Sequence, residues 1–207
     1  MSTTPRIPVI GLCGGIGAGK SAVAGILADL GCVVSDSDRD AREVLADPEV
    51  LEVLRGWWGD DVVGTDGRLD RSRIAGRVFG DDSERARLEG LVHPRLHRLR
   101  EARFRAAAAD TRALVIDAPL LFEAGLDERC DAVIFIDAPL RRRVDRVVSG
   151  RGWDEAELHR REGAQIPLDE KRSRATHVIE NHGTAMELEA RVRTVLDRIL
   201  EDSIEAG

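Results

Sequence analysis

The chain has 207 residues, a net charge of −7 and 43% hydrophobic residues, which are the proportions of a soluble globular protein. The acidic balance argues against nucleic acid as a partner, and no apolar segment approaches the ~20 residues that span a membrane. The N-terminal residues lack a secretion pattern, so we expect a cytoplasmic location. The cysteines, Cys13, Cys32 and Cys130, lack metal-ligand spacing and are predicted to be buried free thiols.

The most informative segment lies near the N-terminus, where an apolar run, Val9–Cys13, precedes a glycine-rich loop and a helical pattern. Residues 14–21 read GGIGAGKS, the GxxxxGK[ST] pattern of a phosphate-binding loop. Glycines let backbone N–H groups converge on phosphate oxygens, and the following helix adds its positive dipole end. In this pattern Lys20 reaches the β- and γ-phosphates and Ser21 holds Mg²⁺. The sequence therefore predicts binding of a nucleoside triphosphate.

Lysine is almost absent from the rest of the chain. Of 31 basic residues, only Lys20 and Lys171 are lysine. The broad, planar guanidinium of arginine fits a tight phosphate loop poorly, so a lysine at position 20 supports the interpretation of the loop.

Apolar runs alternate with helical patterns along the chain, which is typical of a parallel sheet covered on both faces. We therefore predict an α/β fold with three layers and a five-stranded parallel sheet. The predicted strands are Val9–Cys13, Cys32–Val34, Ala113–Ile116, Ala132–Ile136 and His177–Ile179.

Two stretches interrupt this alternation. Residues 38–110 are arginine-rich and helical in pattern and predict a substrate-binding insert at the sheet edge where ligands bind. Residues 151–174 are polar with few apolar anchors and predict a mobile lid. The core is then 6–37, 111–150 and 175–207. Its last predicted helix, Ala185–Leu200, is amphipathic.

Carboxylates follow several predicted strands. Asp36 and Asp38 follow the second strand, so one could accept a proton from an acceptor hydroxyl while the other orients Mg²⁺. A helix N-cap at Asp38 is an equal alternative. Asp117 and Asp137 each end an apolar strand, and either matches a carboxylate that acts on Mg²⁺ through water.

Other polar and aromatic residues have alternative readings. Arg146, Arg151 and Arg161 flank or enter the lid and could clamp phosphates, whereas Arg141–Arg143 are predicted to be an exposed helix face. The pair Trp57–Trp58 is predicted to be core of the helical insert.

In combination, these motifs resemble the dephospho-coenzyme A kinase family from Ile10 to about Gly183. The glycine loop is common to many NTPases, but the ordered combination is more specific. The further markers are Asp36-Ser37-Asp38 with Ala41-Arg42, His93-Pro94, Asp117-Ala118-Pro119-Leu120-Leu121-Phe122-Glu123, Arg161 with Gln165, and Ile179-Glu180-Asn181-His182-Gly183-Thr184.

The resemblance implies a P-loop kinase fold of the nucleoside monophosphate kinase type and transfer of the ATP γ-phosphoryl group to the ribose 3′-hydroxyl of dephospho-CoA. It implies Asp38 as general base, with Lys20 and Arg146 also acting in catalysis. The ATP residues implied are Gly15, Ile16, Gly17, Ala18, Gly19, Lys20, Ser21, Ala22, Arg146, Asn181 and Gly183. The acceptor residues implied are Asp36, Asp38, Arg42, His93, Asp117, Leu120 and Arg161. Mg²⁺ is expected on Ser21, and on Asp117 through water.

Other functions remain open from sequence alone. The same fold could phosphorylate a nucleoside, a nucleotide or a small metabolite, although the long insert favours a bulky acceptor. A GTP-dependent switch is a second alternative, but the guanine-reading [NT]KxD segment is absent. The expected partner is the small acceptor alone, without nucleic acid or membrane, and the expected state is a monomer or weak homo-oligomer.

Overall fold

The computed structural model describes residues 6–205 and contains a parallel sheet in the order β2-β3-β1-β4-β5. Each neighbouring pair of strands is parallel, so the predicted five-stranded parallel sheet is confirmed, with every strand within two residues of its predicted run. The strands are β1 (Val9–Gly14), β2 (Val33–Asp36), β3 (Leu114–Asp117), β4 (Ala132–Asp137) and β5 (His177–Glu180).

The chain divides into two compact units. One, the sheet unit, runs to Asp36 and resumes at Ala107; the other, the helical unit, spans Ser37–Ala106. The helices of the sheet unit are α1 (Lys20–Asp29), α6 (Leu140–Arg151), α7 (Glu155–Glu162), α8 (Leu168–Arg174) and α9 (Ala185–Glu205). Those of the helical unit are α2 (Ser37–Leu45), α3 (Pro48–Trp58), α4 (Arg71–Val78) and α5 (Asp82–Arg105).

The core of the sheet unit follows from the two-residue period of its strands. Ile10 and Leu12 are fully buried on one face, in a cluster with residues of α1 and α9. Gly11 and Cys13 therefore point to the opposite face, where Gly11 approaches Leu121 and Cys130. The predicted amphipathic helix is confirmed in α9, which buries Leu188, Val192, Leu196 and Ile199 at helical spacing.

The helical unit has an apolar core of its own, formed by Val44, Val50, Leu54, Trp58, Val62 and Ile74. The predicted core role of Trp58 is confirmed, and Trp57 packs against the same cluster. Aspartates begin three of its helices: Asp47, Asp70 and Asp81 accept hydrogen bonds from backbone N–H groups of the first turns of α3, α4 and α5.

Pro94 lies inside α5, with His93 directly before it in helical conformation. A proline removes one helical hydrogen bond and disfavours helix in the preceding residue. The packing of Leu88, Leu91, Leu96 and Leu99 of α5 against the helical core offsets this cost. Local sequence preference is therefore overridden here by burial.

All three cysteines are free, as predicted, with Cys13 and Cys32 buried and Cys130 partly exposed. Burial raises the pKa of the Cys13 thiol to about 12, so this group stays protonated at neutral pH. Across residues 6–205, none of the helices combines the length and apolarity required to cross a bilayer.

Candidate functional site

The phosphate loop, residues 14–21, joins β1 to α1 with a backbone that only glycine adopts readily. Gly17 has φ +76° and Gly19 has φ +99°. A Cβ on Gly17 would lie 2.7 Å from the carbonyl oxygen of Arg143, and one on Gly19 would lie 2.2 Å from Asn181 Nδ2. The loop glycines therefore serve both backbone conformation and close packing.

Lys20 opens α1, and its Nζ donates to the carbonyl oxygen of Gly14 at 3.4 Å. Burial lowers the pKa of Lys20, while the nearby carboxylate of Asp117 acts against that shift. An ammonium that is poorly solvated gains from a further anion, which is the property expected of a phosphate-binding lysine.

The carboxylates at the ends of β2 and β3 are brought side by side. Asp36 and Asp117 are register partners on these neighbouring strands, and Asp117 is 8% exposed. The structure also distinguishes the two strand-ending candidates, because Asp137 at the end of β4 forms an ion pair with Arg172 of α8. Asp117, by contrast, is near enough to Lys20 for its charge to act on the pKa of that ammonium.

The oxygen chemistry at this edge fits Mg²⁺. Ser21 is exposed in the first turn of α1, and Asp36 and Asp117 end adjacent strands. Mg²⁺ in kinases is typically held by one or two oxygen ligands of the protein together with substrate phosphates and water. Within residues 6–205, no group of three or more His, Cys, Asp or Glu side chains is arranged to hold a metal ion.

Arg146 and Asn181 meet at the phosphate loop. Arg146 Nη1 donates to the carbonyl oxygens of Gly17 at 3.1 Å and Ala18 at 3.0 Å. Its Nη2 lies 3.3 Å from both the backbone and the side-chain oxygen of Asn181, whose Nδ2 donates to Ala18 O at 2.7 Å. The guanidinium thus ties the loop to the segment after β5, which also contains Gly183.

A buried ion pair at the loop was missed by the sequence reasoning. Arg143, predicted to be exposed with Arg141 and Arg142, is 7% exposed, so the prediction is wrong for this residue. Its Nη1 lies 2.5 Å from Glu162 Oε1, and the same oxygen accepts the Ile16 N–H at 2.9 Å. Position 143 precedes the buried Val147 by four residues, so its place on the inner face of α6 was detectable from spacing.

A second buried cluster lies at the other end of the lid segment. Lys171 is 1% exposed, and its Nζ lies 2.9 Å from Glu123 Oε1 and 3.0 Å from Gln165 Oε1. Glu123 and Gln165 are markers of the resemblance, but no spacing in the sequence indicates that a lysine joins them.

Two arginines of the lid segment, Arg161 and Arg151, contact the ring of Trp153 in the same segment. The guanidinium of Arg161 lies 4.0 Å from the ring centroid of Trp153, and its Nε donates to Glu157 at 2.6 Å. The guanidinium of Arg151 also lies over this ring, 4.9 Å from its centroid. Leu158 is the fully buried apolar anchor of α7.

The predicted acceptor residues are distributed over both units. Leu120, in the segment after β3, is 45% exposed. Asp38 lies in the first turn of α2, and Arg42 on the same helix and His93 on α5 are exposed.

Comparison with known proteins gives a consistent result. A model of the dephospho-CoA kinase family matches residues 8–187. A dephospho-CoA kinase of Thermobifida fusca is 41% identical over 192 residues, which cover 92% of this chain and 95% of the relative. A solved structure from Thermus thermophilus is 39% identical with a TM-score of 0.79, covering 93% of this chain and 98% of that one. The Campylobacter jejuni dephospho-CoA kinase structure, 21% identical with a TM-score of 0.68 and covering 94% and 98%, shares the fold.

Proposed function

The chain belongs to the dephospho-CoA kinase family, and we propose that it transfers the γ-phosphoryl group of ATP to the ribose 3′-hydroxyl of dephospho-CoA, giving CoA and ADP. This reaction is the final step of CoA biosynthesis. The observation that carries the proposal is the family match over residues 8–187, which includes the phosphate loop, Asp117 and Asn181.

On the donor side, the loop residues Gly15–Ala22 receive the ATP phosphates. Lys20 places its ammonium against the β- and γ-phosphates, and the unfavourable burial of that ammonium supports this role. Arg146, Asn181 and Gly183 complete the donor site. The two contacts of Arg146 with loop carbonyls support a role in holding the loop that binds ATP.

We propose that Ser21, with Asp117 acting through water, holds the Mg²⁺ that accompanies ATP. The metal neutralises charge on the transferring group when it is bound. The oxygen donors at the ends of β2 and β3 support this assignment.

On the acceptor side, Asp38 accepts the proton of the ribose hydroxyl, with Asp36 as its neighbour in the site. A secondary hydroxyl is a poor nucleophile, and the transition state of phosphoryl transfer is loose, so alignment and charge neutralisation dominate catalysis. Arg42, His93 and Leu120 are assigned to the acceptor pocket, and Arg161 binds substrate phosphate as the lid excludes water. The exposure of these side chains supports their availability to a ligand.

A product assay tests the proposal. Wild-type protein with ATP, Mg²⁺ and dephospho-CoA should yield stoichiometric CoA and ADP by mass spectrometry, whereas CoA, whose 3′-position is already phosphorylated, should not be consumed. Asp38→Asn should lower kcat by about 10²-fold or more, because general-base catalysis contributes about that much. Efficient phosphorylation of a different alcohol with no CoA formed would contradict the proposed acceptor, and full activity of Asp38→Asn would move the base elsewhere.

A further inference from the structure

Lys171 is one of only two lysines in a chain whose other basic residues are arginine, and it is buried. Lys171 lies on α8 and is 1% exposed, although charged residues are almost never fully buried unless they are paired. All other basic residues except Lys20 are arginine. Lys171 is almost fully buried, and burial lowers the pKa of Lys20. At such positions a compact ammonium needs less space than the planar guanidinium of arginine.

The ammonium of Lys171 joins two separate segments. Its Nζ lies 2.9 Å from Glu123 Oε1, in the segment after β3, and 3.0 Å from Gln165 Oε1, between α7 and α8. Glu123 Oε1 also accepts the Ile166 N–H at 2.9 Å. Partial burial alone would raise the pKa of Glu123, but the hydrogen bonds from Lys171 and from backbone N–H groups hold it below its usual value.

This cluster lies close to the phosphate loop. Helix α8 packs against β1 and β4, the strands whose carboxyl ends lead into the loop and into α6. The pKa of Lys20 is lowered by burial and, in smaller part, by the charge of Lys171, and the same charge opposes the burial that raises the pKa of Cys13, the last residue before the loop. The two ammonium groups therefore act on the same region, where the phosphates of ATP would bring negative charge.

Arg174 provides a second anchor for α8, independent of Lys171. Arg174 Nη2 donates to Asp127 Oδ2 at 2.9 Å, and its guanidinium lies 4.2 Å from the ring centroid of Phe122. Neither contact involves Gln165. What Lys171 adds is the link between the segment after β3 and the lid segment.

We infer that Lys171 is a positioning residue for phosphoryl transfer. Its ammonium holds Glu123 and Gln165 together, and it thereby fixes the lid segment against the connection that follows Asp117, beside Lys20. The role of Lys171 rests on the proposed function, since the transfer that it supports is the one assigned to this site. Reactions that depend on alignment lose rate when such supports shift, even where no substrate contact is removed.

The test compares four variants in the CoA-forming assay, with thermal unfolding measured in parallel. Lys171→Met removes the ammonium and leaves Glu123 without its cation. Lys171→Met combined with Glu123→Gln removes both charges, and the amide oxygen of glutamine can still accept the Ile166 N–H. Lys171→Arg keeps the charge but enlarges the group. Arg172→Met is the matched control, because it removes an exposed cation from the next position of the same helix.

We expect Lys171→Met to lower kcat about tenfold while KM for ATP changes less than about threefold, because the contacts of the phosphate loop stay intact. The double variant should regain the unfolding temperature of the wild type but not its kcat, since a buried pair can be replaced without loss of stability. Lys171→Arg should also have a lower kcat than wild type although it keeps the charge, and Arg172→Met should have the kcat and unfolding temperature of wild type.

Several results would overturn the inference. A kcat of Lys171→Met within twofold of wild type would remove any role in turnover. Recovery of both stability and kcat in the double variant would reduce Lys171 to a structural residue, and an equal loss in Arg172→Met would assign the effect to charge in general. Failure of the proposed function is distinguishable, because wild-type protein would then form no CoA in the same assay.

Discussion

At the scale of single residues, the local motif identifies the phosphate loop, whereas residues distant in sequence explain why its glycines are needed. The glycines and Lys20 of the phosphate loop are recognisable because one continuous pattern specifies them. The reason why particular glycines are required lies elsewhere in the chain: the space beside Gly19 is filled by Asn181, and that beside Gly17 by the backbone of Arg143. Packing partners more than 100 residues away therefore constrain the loop as strictly as its own backbone does.

Gly19→Ala should abolish measurable ATP binding in isothermal titration calorimetry. The new methyl group would lie 2.2 Å from Asn181 Nδ2 at a φ of +99°, which alanine rarely adopts. Asn181 is buried and hydrogen-bonded to Ala18, so it cannot withdraw without breaking the contact that shapes the loop.

Gly25→Ala is the control for that substitution. Gly25 lies in α1 with open space at its Cβ position, so alanine should keep ATP affinity and raise the free energy of unfolding by about 0.5–1 kcal/mol. If Gly19→Ala bound ATP as tightly as Gly25→Ala, the loop geometry described above would not be the geometry that receives the phosphates.

At the scale of elements, α7 contacts the phosphate loop, although its polar composition does not indicate such a contact. Its sequence, EAELHRRE, is polar with one buried leucine, and such a segment predicts a solvated lid. Yet Glu162 at its end accepts the N–H of Ile16, which is 146 residues away, and pairs with the buried Arg143. The polar character of this segment was recognisable from its sequence, whereas its attachment to the phosphate loop was not, because no local pattern encodes a contact between residues 146 positions apart.

Glu162→Ala should weaken ATP binding about tenfold, a loss of about 1.4 kcal/mol. The substitution leaves the guanidinium of Arg143 buried without its carboxylate and the N–H of Ile16 without its acceptor, so the first half of the loop loses its support. Glu162→Gln should fall between the alanine variant and wild type, because its amide oxygen still accepts from Ile16.

The matched control on the same helix is Glu155→Gln, since Glu155 and its partner His159 are both exposed. Calorimetry should give this variant the ATP affinity of wild type. Equal affinity of Glu162→Ala and wild type would show that the loop holds its shape without the buried pair.

At the scale of the whole molecule, the order of strands along the chain was the most predictable property. Each strand is a short apolar run that needs no knowledge of its neighbours to be found, and the sheet follows from their alternation with helices. Residues 37–106 were predictable as helical, but the bounds of the individual helices were not. His93 and Pro94 lie inside α5 because burial of leucines on that helix outweighs the local preference of an X–Pro pair.

The two units have separate apolar cores, and this separation predicts separate responses to core substitutions. Leu54 and Leu27 are both fully buried, Leu54 in the helical core and Leu27 in the core of the sheet unit. Truncation of either to alanine removes the same atoms and should cost about 2–5 kcal/mol of stability. A difference between the two variants in ATP affinity or in KM for dephospho-CoA therefore shows which unit binds which substrate.

Leu54→Ala should accelerate amide hydrogen exchange in α2–α5 while β1, β3 and β4 keep their protection. Because Asp38, Arg42 and His93 belong to the helical unit, KM for dephospho-CoA should rise several-fold while calorimetry finds ATP affinity unchanged. Leu27→Ala should reverse this pattern, with faster exchange in the sheet and weaker ATP binding, since Leu27 lies on the helix that begins at Lys20. If both variants gave one uniform exchange pattern and equal losses for the two substrates, the units would unfold as a single cooperative body and acceptor binding could not be assigned to residues 37–106.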